Sequence, residues 1–428
     1  MNVYIETYGC QMNKLDSETA AAILENDGFS VTPDISDADV ILLNTCGVRE
    51  NAEMRIHGRV AELSKLKKER PEIIFGIIGC MAQRLKGDLL SKVVKIVAGP
   101  DSYRRLGEMI RRASVEPVVD TELYFEETYG DIKPVRSVPF SAWVAVMRGC
   151  NNYCSYCIVP YTRGRERSIP SERIIAEIED LKQNGCREVT LLGQNVNSYR
   201  DGKVDFAALL DRVADTGIGW IRFLTSHPKD LTGDILAVMA GRDNVCPHLH
   251  LPLQSGSDPV LKAMNRGYTI SEYLALVEKT QKSVDSISLT TDLIFGFPGE
   301  AEQDFRATLS VMKSVRYDFA FLYRYSERVG TKACGLPGSV SEQMRIERLK
   351  EAIELQREIS HEKNRELIGT AHVVLIKALS KDRKGWFGFT DTAVPVVFTA
   401  AKNGLDIGSF ATVRINSTTG ASLIGIAE

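Results

Sequence analysis

Several things are scarce in this chain of 428 residues. No apolar stretch runs uninterrupted for the length of a membrane span, and the opening Met1-Asn-Val-Tyr-Ile-Glu6 lacks a basic segment followed by a long apolar one. The sequence therefore predicts a cytoplasmic protein with no membrane partner. An excess of one charge is also missing: 53 Lys and Arg against 56 Asp and Glu leave a net charge of -3, so any RNA surface must be a local patch. There is no convincing internal repeat and no low-complexity tract. A hydrophobic content of 44% with 25% charged residues excludes disorder, and the length allows two or three domains. Cysteine, by contrast, is present nine times. In a chain read as intracellular this excludes a secreted disulfide framework and calls for metal or redox chemistry.

The pattern of short apolar runs and amphipathic stretches divides the chain. Residues 1–112 alternate expected strands (Val3 to Tyr8, Asp39 to Thr45, Ile73 to Gly79, Lys95 to Ala98) with helices, which predicts a small α/β domain with a doubly wound parallel sheet. Residues 113–140 carry Pro117, Pro134 and Pro139 among acidic residues without periodicity and are read as a linker. From 141 to 368 six further strand–helix units predict a partial TIM-type barrel, closed by one long charged helix from Ser341 to Leu367. Residues 369–428 hold short β segments separated by Gly, Asp and Asn turns, the length and texture of an all-β, five-stranded OB-like barrel.

Cys150, Cys154 and Cys157 form a CxxxCxxC triplet directly after an expected strand. Three thiolates cover three corners of a 4Fe-4S cluster and leave one iron open, whereas a zinc knuckle normally closes with a fourth Cys or His. Cys10, Cys46 and Cys80 each follow an expected parallel strand of the first domain. Loops beyond the carboxyl ends of such strands converge on one crevice, so these three can share a site, the alternative being three buried thiols. Cys186, Cys246 and Cys334 belong to no triplet, and His227, His248 and His250 read as hydrogen-bonded core or rim residues.

The spacing around Cys150 resembles the radical S-adenosylmethionine (SAM) superfamily. Longer words carry a closer likeness: Glu6-Thr-Tyr-Gly-Cys-Gln-Met-Asn13, Leu43-Asn-Thr-Cys-Gly-Val-Arg-Glu50, Gly79-Cys-Met-Ala-Gln83, Arg148 to Cys157 running into Pro160 to Ser168, Leu191 to Tyr199, His250 to Ser257, and Asp292 to Glu300. With them the chain resembles the radical-SAM methylthiotransferases, and within them the branch acting on isopentenyladenosine in tRNA. The resemblance implies two 4Fe-4S clusters, on Cys150, Cys154 and Cys157 and on Cys10, Cys46 and Cys80. It also implies SAM used twice, as methyl donor and as source of a 5′-deoxyadenosyl radical, so that a methylthio group replaces the hydrogen at C2 of N6-isopentenyl (dimethylallyl) adenosine next to the anticodon, position 37 of tRNA. An aromatic C–H of this kind is not acidic enough for a side-chain base, so the hard step falls to a cofactor. Tyr156, Gly193, Gln194, Asn195, Gln254, Ser255 and Ser257 are expected around SAM. Gly296, Phe297, Gly299 and Glu300 either shape the adenosine surface or form a tight turn. Gln11, Asn13 and Asn44 either contact substrate adenine or bond loop backbone.

For RNA, alternation in an extended segment aims Arg163, Arg165 and Arg167 at one side, near the barrel mouth, as phosphate contacts; the alternative is a loop salt-bridged to Glu166. Lys381, Arg383, Lys384, Trp386 and Phe387 join basic and aromatic side chains, which suits base stacking, and the segment resembles a TRAM domain. Ile169, Val329, Phe389 and Ala393 depart from the family's usual residues. Other partners implied are a low-potential electron donor and a sulfur or cluster-repair donor, with the chain a monomer. The competing readings are a methylthiotransferase for threonylcarbamoyladenosine or for a ribosomal-protein aspartate, and a non-catalytic iron-sulfur RNA-binding or electron-transfer protein.

Overall fold

The computed structural model describes residues 1–47, 50–400 and 404–428. Its first unit runs β1 (Asn2–Tyr8), α1 (Gln11–Asn26), β2 (Ser30–Val31), β3 (Val40–Thr45), α2 (Glu50–Glu69), β4 (Ile74–Gly79), α3 (Cys80–Leu85), β5 (Val94–Ala98), α4 (Leu106–Ala113) and β6 (Val118–Asp120). All pairings are parallel, in the order β2-β1-β3-β4-β5-β6. β3 (Val-Ile-Leu-Leu-Asn-Thr) and β4 (Ile-Phe-Gly-Ile-Ile-Gly) are buried at every position, as strands with helices on both faces must be. Two strands escape the sequence pattern, β2 and β6. The second lies inside the stretch read as a linker: its three residues are too few to show periodicity, yet they hydrogen-bond to β5 and add an edge to the sheet.

The second unit contains β7 (Ser141–Ala145), the short pair β8 (Met147–Arg148) and β9 (Arg167–Ser168) flanking α5 (Val159–Arg163), then α6 (Ser171–Gln183), β10 (Glu188–Leu192), the ribbon β11 (Arg200–Asp201) with β12 (Val204–Asp205), α7 (Phe206–Asp215), β13 (Trp220–Phe223), α8 (Gly233–Gly241), β14 (His248–His250), α9 (Asp258–Ala263), α10 (Ile270–Ser283), β15 (Ser288–Phe295), α11 (Glu302–Val315), β16 (Phe319–Arg324) and α12 (Glu342–Glu366). Two parallel sheets, β13-β10-β7 and β14-β15-β16, are joined through the bridge Ile221–Val245. Together they form a six-stranded partial barrel whose edges are β7 and β16. The core behind it collects the helix faces, from Ile174 and Ile178 of α6 to Ala352 and Ile359 of α12.

The last unit is a closed barrel, β17 (Ala371–Leu379), β18 (Trp386–Thr390), β19 (Pro395–Ala400), β20 (Phe410–Thr418) and β21 (Leu423–Ala427), in the order β17-β18-β19-β21-β20. It docks under the partial barrel, at the amino ends of its strands. Arg222 bonds Glu188 at 2.8 Å and donates to the carbonyls of Thr390 and Asp391; Lys377 pairs with the other oxygen of Glu188; Trp220 packs on Phe410 at 4.8 Å. Against the desolvation of burial, the two cations hold the Glu188 carboxyl down to about 2. That end is therefore plugged, leaving the carboxyl ends of the strands for chemistry. Among the described residues no helix is long and apolar enough to cross a membrane.

Candidate active site

The strand order puts the carboxyl ends of β1, β3 and β4 side by side, and each is followed within two residues by a cysteine. Cys10 sits at the N-cap of α1, Cys46 directly follows β3, and Cys80 opens α3. The loops touch: a Cβ on Gly47 would lie 3.1 Å from the Cys80 carbonyl oxygen, and the Cys46 amide bonds the Tyr8 carbonyl at 2.9 Å. Gly79 takes φ +91° with a Cβ position 2.4 Å from Asn44 Oδ1, so only glycine makes this turn into Cys80. The Cys10 thiol is held down to about 6, chiefly by hydrogen bonding with Cys46 and also by the positive charge of Arg163, against burial. Burial pushes Cys80 up while the same Arg163 opposes it. Three thiols without a histidine or carboxylate among them form a soft ligand set suited to an iron-sulfur cluster. Among the described residues no three Cys, His, Asp or Glu side chains are gathered as ligands of one metal ion. A cluster of four irons makes no such demand, because each thiolate takes a different iron.

The second triplet lies in the loop between β8 and α5. Gly149 starts it at φ +79°, where a Cβ would meet the Arg165 carbonyl at 1.9 Å. The Cys150 amide bonds the Gly164 carbonyl at 3.1 Å, Cys157 bonds back to Cys154 at 2.9 Å, and Ser155 is anchored to Met264 and Ala263. Arg266, itself buried, donates to Cys154 Sγ at 3.4 Å and to the Pro252 carbonyl at 2.8 Å. Burial raises the Cys150 thiol to about 11 and Cys157 to about 12, so binding a metal here displaces protons from both.

Beside this loop, polar atoms are buried without a protein partner: Asn195 Oδ1, both amide atoms of Asn197, Ser226 Oγ and His227 Nε2. All belong to segments leaving the carboxyl ends of β10 and β13. Orphaned polar atoms in such a place fit a small polar ligand such as SAM. His227 is pushed down to about 2 by burial, then Arg266 and Lys229, and is neutral at ordinary pH. Gln194 Oε1 accepts the Gly149 amide at 2.5 Å, tying the turn at Gly193 to the cluster loop, and Asn195 Nδ2 donates to Asp230 at 2.7 Å. Gln254 takes φ +75° and bridges Leu293 of β15, with Ser255 buried next to it.

Several expected ligand contacts are committed elsewhere. Ser257 Oγ donates to Asp304 at 2.5 Å, and Glu300 pairs with Arg348 at 2.6 Å while accepting the Gly296 amide, so both anchor the helices behind the site. Tyr156 packs in an apolar cluster with Phe297 and Tyr325. Asn13 and Asn44 are fully buried: Asn44 donates to the Asn13 carbonyl and to Ser17, and Asn13 to Thr45, which makes them braces of the cysteine loops. Gln11 alone of that trio is exposed. Val48 and Arg49 lie outside the described residues.

The arginine row reads differently in three dimensions. Arg163 and Arg167 are buried and only Arg165 is exposed, because α5 and Gly164 break the extended alternation. Arg167 forks onto Asp101 at 2.8 and 3.2 Å. Arg163 reaches Asp16 of α1 at 2.6 Å, and Arg148 binds the other oxygen of that carboxylate at 2.9 Å. These bonds lock the first domain over the barrel mouth, helped by Met12 and Leu15 packing against Leu192, Trp143 and Leu224. Nothing in the motif spacing signals Asp16 or Arg266. An acid at a buried position of α1, opposite two arginines, is evident only once the domains meet. In the last barrel Lys381, Arg383 and Lys384 are exposed, and Phe387 and Phe389 stack edge-on at 5.2 Å on one face of β18, while Trp386 packs against the barrel core. Of the departures, Ile169 is buried and Val329 is 79% exposed.

Residues 144–312 match the family described as the radical SAM superfamily, and residues 2–99 match one described as uncharacterized protein family UPF0004. The chain is 46% identical over 434 residues to the tRNA-2-methylthio-N(6)-dimethylallyladenosine synthase of Parabacteroides distasonis, covering 99% of this chain and 94% of the relative. It is 46% identical over 431 residues to the protein of that name in Chloroherpeton thalassium, with 99% and 95% covered. In fold it is similar to a radical S-adenosylmethionine methyltransferase, TsrM, from Kitasatospora setae, with a TM-score of 0.56 at 14% identity over 78% of this chain and 77% of the other.

Proposed function

Since the chain belongs to the radical-SAM family of tRNA-2-methylthio-N6-dimethylallyladenosine synthases, we propose that it replaces the C2 hydrogen of N6-dimethylallyladenosine, next to the anticodon of tRNA, with a methylthio group. The observation that carries this reading is the pair of cysteine triplets on two domains, with α1 of the first packed on the mouth of the second and Asp16 binding Arg148 and Arg163 between them. Cys150, Cys154 and Cys157 would hold the 4Fe-4S cluster that binds SAM, and Cys10, Cys46 and Cys80 the auxiliary one. Bound there, these groups supply one-electron C–H activation on the barrel side and sulfur and methyl transfer on the other.

The chain's own residues do the rest. Arg266 brings a positive charge and an N–H to Cys154, and Arg163 brings a positive charge to Cys10 and Cys80; both offset the negative charge that thiolates accumulate. Asn195, Asn197, Ser226 and neutral His227 offer unspent hydrogen-bonding atoms that orient a polar ligand. Met12, Leu15, Trp143, Leu192 and Leu224 form an apolar seal that keeps water from a reactive intermediate. Lys381, Arg383, Lys384, Phe387 and Phe389 on the last barrel suit phosphate and base contact with tRNA. The reading calls for an external low-potential electron donor and a sulfur source, and treats the chain as a monomer.

The test is anaerobic reconstitution followed by methylthiolation assays on RNA carrying isopentenyladenosine, RNA carrying threonylcarbamoyladenosine, and the ribosomal-protein aspartate. Product from the first alone is expected. Absence of any SAM-dependent spectral change would sink the catalytic reading altogether.

A further inference from the structure

β16 is an edge strand of the partial barrel, and its two faces differ. Ala320 is buried and Leu322 packs against the main core, with α12 lying along the strand. The alternate residues Phe319, Phe321 and Tyr323 face the other way and are 51%, 43% and 36% exposed. Phe319 and Phe321 meet edge-on at 4.9 Å, and the ring of His250 on β14 stands at 5.8 Å from Phe321. Between them β15 contributes Asp292, whose carboxylate lies 3.5 Å from His250 Nε2, and Thr290, whose hydroxyl shares a hydrogen bond with His250 Nδ1 at 3.0 Å. The register pairs Phe321 with Asp292 and Tyr323 with Ile294, so the aromatic row climbs toward the strand ends, where Gln254 bridges Leu293. The other edge strand, β7, carries Trp143 in the seal under α1, with Lys14 over its ring at 5.2 Å.

An exposed row of aromatic rings inside a concave site is a ligand surface rather than leftover core. Its chemistry is specific. The rings offer apolar contact and stacking, the Asp292 carboxylate beside them accepts an N–H, and an anionic group placed there would face that carboxylate across a short distance. Resting on the function proposed above, we propose that Phe321 and Tyr323, with Phe319 below them, form the seat of the target base and its N6 hydrocarbon chain. Asp292 turns away adenosines whose N6 substituent carries a carboxylate. This wall selects a purine with a neutral, apolar N6 group, which makes β16 a determinant of branch specificity.

The test uses the full chain, anaerobically reconstituted, and fluorescence anisotropy with anticodon stem-loop RNAs bearing adenosine, N6-isopentenyladenosine or N6-threonylcarbamoyladenosine. The wild type is expected to prefer the isopentenyl RNA over the unmodified one. Phe321→Ala should reduce that preference by about tenfold, weakening the isopentenyl RNA more than the unmodified one, and Phe321→Leu should retain part of it. Asp292→Asn should improve binding of the threonylcarbamoyl RNA. Because Phe321 is half-exposed, both its variants should load iron as the wild type does, and iron content is measured alongside. If the wild type methylthiolates the isopentenyl RNA while Phe321→Ala and Tyr323→Ala both keep its binding preference, the wall is overturned and the function stands. A wild type that makes product only from the threonylcarbamoyl RNA overturns both.

Discussion

Replacing Asp16 by Asn should loosen the two domains from each other more than any other single change of similar size. The carboxylate is fully buried, with Arg148 and Arg163 side chains only 2% and 4% exposed on either side of it. Burial alone would raise its pKa, but Arg163 and Arg148 hold it below the ordinary value of 3.8. At charge separations near 4 Å and an effective dielectric of about 20, each pair is worth about 4 kcal/mol of attraction. Much of that is offset by desolvation. Removing the anion, however, leaves two guanidinium groups buried and facing each other, a loss of about 3–5 kcal/mol. For a unit of this size that corresponds to a fall in the thermal midpoint of roughly 10 °C. Differential scanning calorimetry of the reconstituted protein measures it, with Arg163→Met as the second arm of a double-mutant cycle. The sign with pH follows from the lowered pKa: the stabilisation is fully present above 3.8, the value expected in the unfolded chain, and is lost only as pH falls through the lower folded value. Titration from pH 8 to about 5 should therefore leave the difference between wild type and variant unchanged. A midpoint shift under about 2 °C for Asp16→Asn would refute the reasoning.

Three further outcomes are expected. Replacing Cys10, Cys46 and Cys80 together by Ala should roughly halve the iron bound per chain and keep SAM cleavage while abolishing sulfur insertion; surviving insertion would show that these thiols do not serve the sulfur chemistry. Arg266→Met keeps an unbranched stem but removes the positive charge and the N–H on Cys154, so the midpoint potential of the barrel cluster should fall, read by EPR-monitored titration, and an unchanged potential would remove Arg266 from the site. Glu188→Gln leaves Arg222 and Lys377 without their anion and should speed tryptic release of the C-terminal barrel and weaken tRNA binding, with the wild-type advantage persisting above pH 4.5 and fading toward about 2; equal cleavage rates would contradict the docking role.

Much of the architecture was readable because it rests on local pattern. Fully apolar runs such as Val40 to Leu43 and Ile73 to Ile78 can only be strands covered on both faces, and the cysteines marked where those strands end. Short or mixed segments were not readable. β6 is three residues long, and the run from Lys381 to Phe387, basic residues leading into the first rings of β18, looks by composition like one binding patch, whereas Trp386 packs on the barrel core and the alternate rings Phe387 and Phe389 face the other way.

The identity of the chemistry was already written in the order of residues, since thiolate spacing and strand-end placement are properties of short segments. Which charges act on it was not. Arg163 and Arg167 sit in one motif and look alike, yet both are spent on carboxylates supplied by another domain, Asp16 and Asp101, nearly 150 and 66 positions away. The same holds for β16, where Phe319, Phe321 and Tyr323 read as an ordinary apolar strand until its place at the edge of the barrel leaves that face partly exposed. Burial and partnership depend on which distant elements come to lie side by side, and that juxtaposition exists only in the folded chain.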